Sequence, residues 1–453
     1  MEKRHILAND NILKLLFKLS TPATIGMAAM AMFNIVDTIF VGRGIGSLAI
    51  AALSIVFPIQ MFLLAVGQMI GIGAASLISR SLGANDYDKA NKTLGNVVLI
   101  VISFALIITV LGSVFITELL TLFGATDTII GYAKDYMQVI LFGSLFFIFL
   151  VTGNNIIRSE GKAKIAMTTM LVAAGINIIL DPIFIFALNL GIRGAALATI
   201  ISQFITAMYI FRFFIAQKSI LVFRVKDIIP DLKIIKEIFA VGISAFSQQV
   251  AASILIIVIN NSLGYYGGEI YIAVYGIINR LLRFVLMPIF GIAQGMQPIA
   301  GFNYGRKDYR KSWRAIKLAI IAATTVSTLG FIILMTIPNI LIGIFTTDAE
   351  LIDKAVRSLR LMIMVFPIVG YQIVSSVAFQ AMGKALPALV LSLSRQIILL
   401  IPLVLILPRL FDVYGIWIAF PISDVLATMI TSILIFKQYR EMKKDFVYQV
   451  DRK

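Results

Sequence analysis

The chain alternates long apolar runs with short polar or basic breaks from end to end. Runs of about 20 apolar residues or more are long enough for helices to cross roughly 30 Å of hydrocarbon. Twelve are legible, at roughly 15–42, 49–79, 94–117, 132–156, 165–187, 192–214, 236–263, 270–303, 315–336, 356–380, 386–407 and 414–436. The pattern predicts an all-α integral membrane protein of twelve transmembrane helices, with almost nothing left for a separate soluble domain. The sequence is 60% hydrophobic, with a mean hydropathy of +0.97, which agrees.

The breaks repeat. Span 2 runs into Gly83-Ala-Asn-Asp86-Tyr87-Asp-Lys89 and span 8 into Gly305-Arg-Lys-Asp308-Tyr309-Arg-Lys311, both G-x-x-D-Y-x-K, 222 residues apart. The same offset relates Gly42 to Gly264, Gly73 to Gly295 and Gly161-Lys162-Ala163 to Gly383-Lys384-Ala385. An offset of 221 relates Gly194 to Gly415 and Ser202 to Ser423. Six spans per half is an even number, so the halves share one orientation: a parallel internal repeat about an axis along the membrane normal. The expected organisation is a six-helix lobe over 1–216, a basic linker over 217–235 and a second six-helix lobe over 236–453. In the repeated loops, Gly is expected to end one helix and Asp to cap the next.

The formal net charge of +16 resembles a nucleic-acid signal until its distribution is read. With the N-terminus inside, most of the 39 Lys and Arg fall in inner segments. Arg43, Lys134, Arg193, Lys354, Arg357, Arg360 and Arg409 lie outside, and Arg280, Arg283 and Arg395 lie within spans. This is the positive-inside pattern, with both termini cytoplasmic in the cell membrane, a bilayer as the partner and no nucleic acid. There are no cysteines, and the one histidine, His5, sits in the polar N-terminal tail. Thiolate chemistry is excluded and a His relay is not expected. The opening MEKRHILANDNILKLL has no short apolar core followed by a small-residue cleavage site, so the first span is expected to be retained.

Against this background two acids stand out: Asp37 in span 1 and Asp181 in span 5. A charged side chain at a helix centre costs about 2.5–3.5 kcal/mol on insertion scales, and such residues mark ion, proton or substrate sites. Asn34 lies one turn before Asp37, Asn177 is i, i+4 with Asp181, and Ala195, Thr199 and Gln203 step by four along span 6. At 1.5 Å per residue, Asp37 is about 7 Å inside the outer end of its span, Asp181 about 9 Å and Thr199 about 10 Å. Three helices thus bring oxygen ligands to one level. Pro182 frees the Ile178 carbonyl. Two carboxyls in a dry pocket should keep a proton between them or recruit a cation. Carboxylate, amide and hydroxyl oxygens suit a hard cation such as Na⁺.

The repeat supplies a control, because Asp37 maps to Ile259 and Asp181 to Leu403. The second half keeps the architecture without the acids, which favours a functional role for them. Its own charges, Arg395, Asp424, Arg280 and Arg283, fall near the midplane, and intramembrane charges usually pair. Together with Met27, Met30 and Gln203 they are candidates for a substrate cleft, Met being adaptable in shape.

With these residues in place, the chain resembles the multidrug and toxic compound extrusion (MATE) transporters, and most closely their DinF-like prokaryotic branch. The resemblance covers essentially the whole chain. It is most specific at Pro22 with Asp37, Asn177 with Asp181, and Thr199. In similar transporters the matching Asp, Asn, Asp and Thr form the cation site of the N-terminal lobe, and the matching Pro bends span 1. The resemblance implies a monomeric, non-enzymatic antiporter that exports amphipathic, often cationic drugs in exchange for H⁺ or Na⁺. No cofactor is implied beyond that coupling ion. Some branches carry a Glu in span 7. This chain has Gln248, Gln249, Asn260 and Asn261 there, so a second-lobe cation site of that type is not expected. The main rival is a lipid-linked precursor flippase of the wider superfamily, which would want Arg280, Arg283 and Arg395 free in a basic cleft. An intramembrane enzyme finds no support in HExxH, GxSxG or a catalytic His.

Overall fold

The computed structural model describes residues 6–216 and 218–450; the His5 tail lies outside the described residues. Among the described residues there are helices and turns but no strand. Ten helices are long and apolar enough to cross a membrane, and two bent pairs bring the number to twelve. We label them α1 (Ile12–Gly44), α2 (Ser47–Gly83), α3 (Tyr87–Val114), α4 (Ile130–Phe142 with Ser144–Ser159), α5 (Ala163–Ala187), α6 (Gly191–Ile215), α7 (Leu232–Gly267), α8 (Glu269–Gly305), α9 (Tyr309–Thr336), α10 (Ala349–Met362 with Phe366–Ala381), α11 (Ala385–Ile406) and α12 (Pro408–Lys444).

The repeat read from the sequence recurs in the backbone. The two bent spans, α4 and α10, turn by 56° and 55° at breaks centred about 222 residues apart. Asn85 and Lys307 both adopt left-handed φ, at 60° and 63°, as do Gly161 and Gly383, at 79° and 73°. After Gly83 and Gly305, the Asp86 and Asp308 amides close back on the Ser81 and Asn303 carbonyls at 2.9 Å. The carboxylates of Asp86 and Asp308 then accept from the Lys89 and Lys311 amides, both at 3.0 Å. The G-x-x-D-Y-x-K loop is thus a helix stop joined to a helix cap, built twice. Replacing either Asp by Ala should cost about 1 kcal/mol of stability. Thermal unfolding of the two single variants in detergent would show it as similar, modest drops in midpoint.

The chain divides into two compact units, residues 25–246, and residues 1–24 with 247–453. Relative to the six-span halves, the first parts of α1 and α7 are exchanged. The close contacts within each unit show how. An ideal Cβ on Gly73 of α2 would sit 2.1 Å from the Ile238 carbonyl oxygen of α7, and one on Gly242 of α7 would sit 2.1 Å from the Met69 oxygen of α2. In the other unit, a Cβ on Gly295 of α8 would lie 2.7 Å from the Ser20 nitrogen of α1, and one on Gly291 would lie 2.0 Å from Thr24 Oγ1. Gly73 and Gly295 are repeat partners, so both units use the same glycine to bring two helix backbones together.

Between α6 and α7 the linker is fixed within the unit 25–246. Glu160, fully buried at the end of α4, accepts from the Ile220 amide at 2.9 Å and from the Ser219 hydroxyl, with Lys162 Nζ at 3.1 Å. Burial pushes the Glu160 carboxyl above the usual carboxylate range, partly opposed by Lys162 and these donors.

Candidate functional site

Within the unit 25–246, the outer part of α1 packs along α5. Gly44 meets Ile185 and Phe186, and the Phe40 and Phe186 rings stand edge to face with centroids 6.3 Å apart. That packing aligns the two acids. Asp37 and Asp181 are both buried, Asp181 completely, and their carboxyl groups lie in hydrogen-bonding contact. Two carboxylates accept and neither donates, so the contact requires a shared proton or a bridging cation.

Asn177 and Thr199 complete the cluster, both buried. Only one orientation of the Asn177 amide satisfies both its ends. Its nitrogen donates to Asp181 Oδ2 at 2.8 Å, and its oxygen accepts from Thr199 Oγ1 and N, each at 3.2 Å. One oxygen of each acid, Asp37 Oδ1 and Asp181 Oδ1, is buried without a hydrogen-bond partner. An unpaired buried acceptor is costly, and a proton or a hard cation would satisfy both at once. Directly after Asp181 and Pro182, α5 widens into a π-helical turn, Ile183–Ala187, a local geometry frequent at functional sites.

The structure therefore brings together Asp37, Asn177, Asp181 and Thr199. It does not bring in Asn34, which is exposed and donates its amide to the Met30 carbonyl at 2.8 Å, one turn back in its own helix. Spacing placed Asn34 on the right face but one turn too far along it. Gln203, Met27 and Met30 are half-buried, and Pro22 is buried inside α1, two residues before the division between the units. Two residues of the site were missed by sequence reasoning. Tyr136 of α4 is buried, its hydroxyl accepts from Gln60 Nε2 of α2 at 3.1 Å, and it reaches the Thr199 side chain. A lone Tyr in an apolar span carries no periodic signal, so only the fold reveals it.

In the unit of 1–24 and 247–453, Arg395 and Asp424 form an ion pair, Nε to Oδ1 at 2.6 Å. Gln372 Nε2 donates to the Asp424 carbonyl and to Thr428 Oγ1, both at 2.6 Å, and Ser423 donates to the Arg395 carbonyl at 2.8 Å. Arg395 lies in a second π-helical segment, Ser394–Leu400. A cavity of about 40 Å³ beside the pair is lined by Gln248, Gln372, Ser376 and Gln396 among others. Arg280 and Arg283 are exposed, and Arg283 donates to Asn279 Oδ1 at 3.1 Å. Asp424→Ala should cost about 3 kcal/mol, the lower end for breaking a buried pair, since the Arg395 side chain retains 29% exposure. Arg395→Met with Asp424→Leu should recover most of that loss in the same unfolding assay, because no charge is then stranded.

Twelve spans, a tandem repeat and a buried acid pair in one half define a membrane transporter rather than a channel lining. The MatE family model matches the chain twice, over residues 22–183 and 244–406, and the chain belongs to that family. The two matches start and end about 222 residues apart, in register with the repeat. The chain is 27% identical over 435 residues to the multidrug export protein MepA of Staphylococcus aureus (strain MRSA252), covering 96% of each. It is similar to a solved structure of the MATE multidrug transporter DinF-BH in complex with a drug-like ligand, at 44% identity and a TM-score of 0.88, covering 94% of this chain and 96% of that one. A MATE structure described as the bent conformation matches with a TM-score of 0.92 and 26% identity, covering 98% of this chain and 99% of that one. The higher identity to DinF-BH agrees with the DinF-like branch expected from the residues.

Proposed function

We propose that this protein is a multidrug efflux antiporter of the cell membrane, with both termini cytoplasmic, acting as a monomer. It exports amphipathic, often cationic small molecules in exchange for H⁺ or Na⁺. The observation that carries the coupling mechanism is the contact between Asp37 and Asp181 with a partnerless oxygen on each. A proton entering from outside would bind between the carboxyls. A sodium ion would take oxygens from Asp37, Asn177, Asp181 and Thr199. Either ion relieves the repulsion of two buried acids and draws α1 toward α5, with Pro22 as the point at which α1 yields. Drug and ion then oppose one another through α1, and their opposing affinities drive the exchange. The two six-span halves act as the lobes of an alternating-access cycle.

The relatives support the drug class through the names they carry, multidrug export protein and multidrug transporter. The flippase alternative loses one of its basic residues, since Arg395 is neutralised by Asp424. The deciding measurement is rhodamine or ethidium efflux from proteoliposomes, with Na⁺ and pH gradients imposed one at a time. Efflux driven by one gradient is expected. Equal efflux with neither gradient would rule out antiport.

A further inference from the structure

The linker between α6 and α7 does not stand clear of the membrane. It is drawn down along the side of α3. Asn91 accepts from the Val222 amide at 2.9 Å, and Asn96 accepts from the Asp231 amide at 2.8 Å. Asn96 Nδ2 also faces the Asp227 and Ile229 carbonyls at 3.3 Å. Gly95 lets the Asp227 backbone approach so closely that a Cβ would lie 2.2 Å from its carbonyl oxygen. Gly95 is eight residues into α3, about 12 Å along the helix. The repeat partners of Asn91, Gly95 and Asn96 are Trp313, Lys317 and Leu318, so this docking is particular to the first half.

The docked segment turns apolar side chains outward. Val225 is 76% exposed, Ile229 71% and Leu232 79%; the first two lie outside every span and Leu232 is the first residue of α7. Beside them Lys226 and Lys233 are exposed, and among the described residues neither forms an ion pair. Lys226, Lys233 and Lys92 border a groove of about 580 Å³ whose apolar wall is Ile229, Pro230 and Leu232. The acids nearby are largely engaged. Asp88 pairs with Lys92 at 2.9 Å, Asp231 caps α7 through the Lys233 amide at 2.9 Å, and Asp227 is buried. Apolar side chains next to free ammonium groups, at the height where two spans meet the interface, fit one partner: acyl chains below and phosphates above.

The geometry points to the 222–233 linker as a docking site for an anionic phospholipid of the adjacent leaflet. Val225, Ile229 and Leu232 enter the acyl boundary, and Lys226 and Lys233 hold the phosphate. The inference does not depend on which drug or ion the transporter carries.

The test uses full-length purified protein, delipidated in detergent and titrated with phosphatidylglycerol or phosphatidylcholine, with retained lipid counted by native mass spectrometry. A surface lysine contributes about fivefold to anionic-lipid affinity, so Lys226→Gln with Lys233→Gln should cut phosphatidylglycerol retention roughly 25-fold and leave phosphatidylcholine unchanged. Lys226→Arg with Lys233→Arg should retain the preference, and Val225→Ser with Ile229→Ser should weaken both lipids. Unchanged phosphatidylglycerol retention in the double Gln variant would overturn the assignment. So would full displacement of the lipid by millimolar inorganic phosphate, which would make this a free-anion site.

Discussion

Asp37→Asn is expected to abolish gradient-driven drug efflux while leaving expression and thermal stability at or above wild type. Asn preserves the shape of the side chain and can donate to Asp181, so the contact between α1 and α5 survives. What it removes is the ability to take up and release a charge. One elementary charge moving down 100 mV supplies about 2.3 kcal/mol, enough for a drug gradient of about 50-fold, and that driving force should vanish. Asp181→Asn should behave alike, because the two carboxyls work as one site. Thr199→Val should weaken coupling less, since it removes a neutral ligand that contacts Asn177 rather than either acid. The stability readout separates this mechanism from a purely structural role. If the acids merely tied α1 to α5, the Asn variants would unfold more readily, and facilitated drug flux would fall together with coupled flux. Normal drug resistance in cells carrying Asp37→Asn would overturn the proposal.

The second large effect concerns the helix crossings. Gly73→Ala should destabilise the protein by about 1–3 kcal/mol, and Gly73→Val by more. The added Cβ would meet the Ile238 backbone at 2.1 Å, and backbone in a long helix cannot swing aside as a side chain can. Gly295→Ala should cost a similar amount against Ser20. Gly131 and Gly175 are the matched controls. A Cβ at either meets nothing within 4 Å, so Ala there should be neutral or mildly stabilising. Unfolding in a mild detergent, read as midpoints for all four Ala variants, should separate them into two pairs. Equal midpoints would mean that the crossings have slack the structure does not show.

These crossings also mark where sequence reasoning stopped. Gly73 and Gly295 were visible as repeat partners, but a matching glycine does not say what it faces. Which helix lies against it depends on the exchange of the first parts of α1 and α7, a long-range arrangement with no local signature. The acids behaved differently. Asp37, Asn177, Asp181 and Thr199 were legible as a group, because a charge is expensive in hydrocarbon and helical periodicity fixes which neighbours share its face and depth. Asn34 shared the face yet stayed on its own helix, and Tyr136 and Gln60 joined from helices on which nothing distinguished them.

The sequence by itself determined the membrane class, the twelve spans, the parallel repeat and the presence of an acid pair in one half. All of these follow from local quantities: hydropathy over a span, charge at its ends, and spacing along one helix. Only the tertiary structure decided that the two carboxyls touch, that Arg395 is spent on Asp424, and that the linker lies against α3 with its apolar side chains outward. Each of those depends on which helices become neighbours, and that is settled by close backbone approach and packing across the chain rather than by any stretch of it.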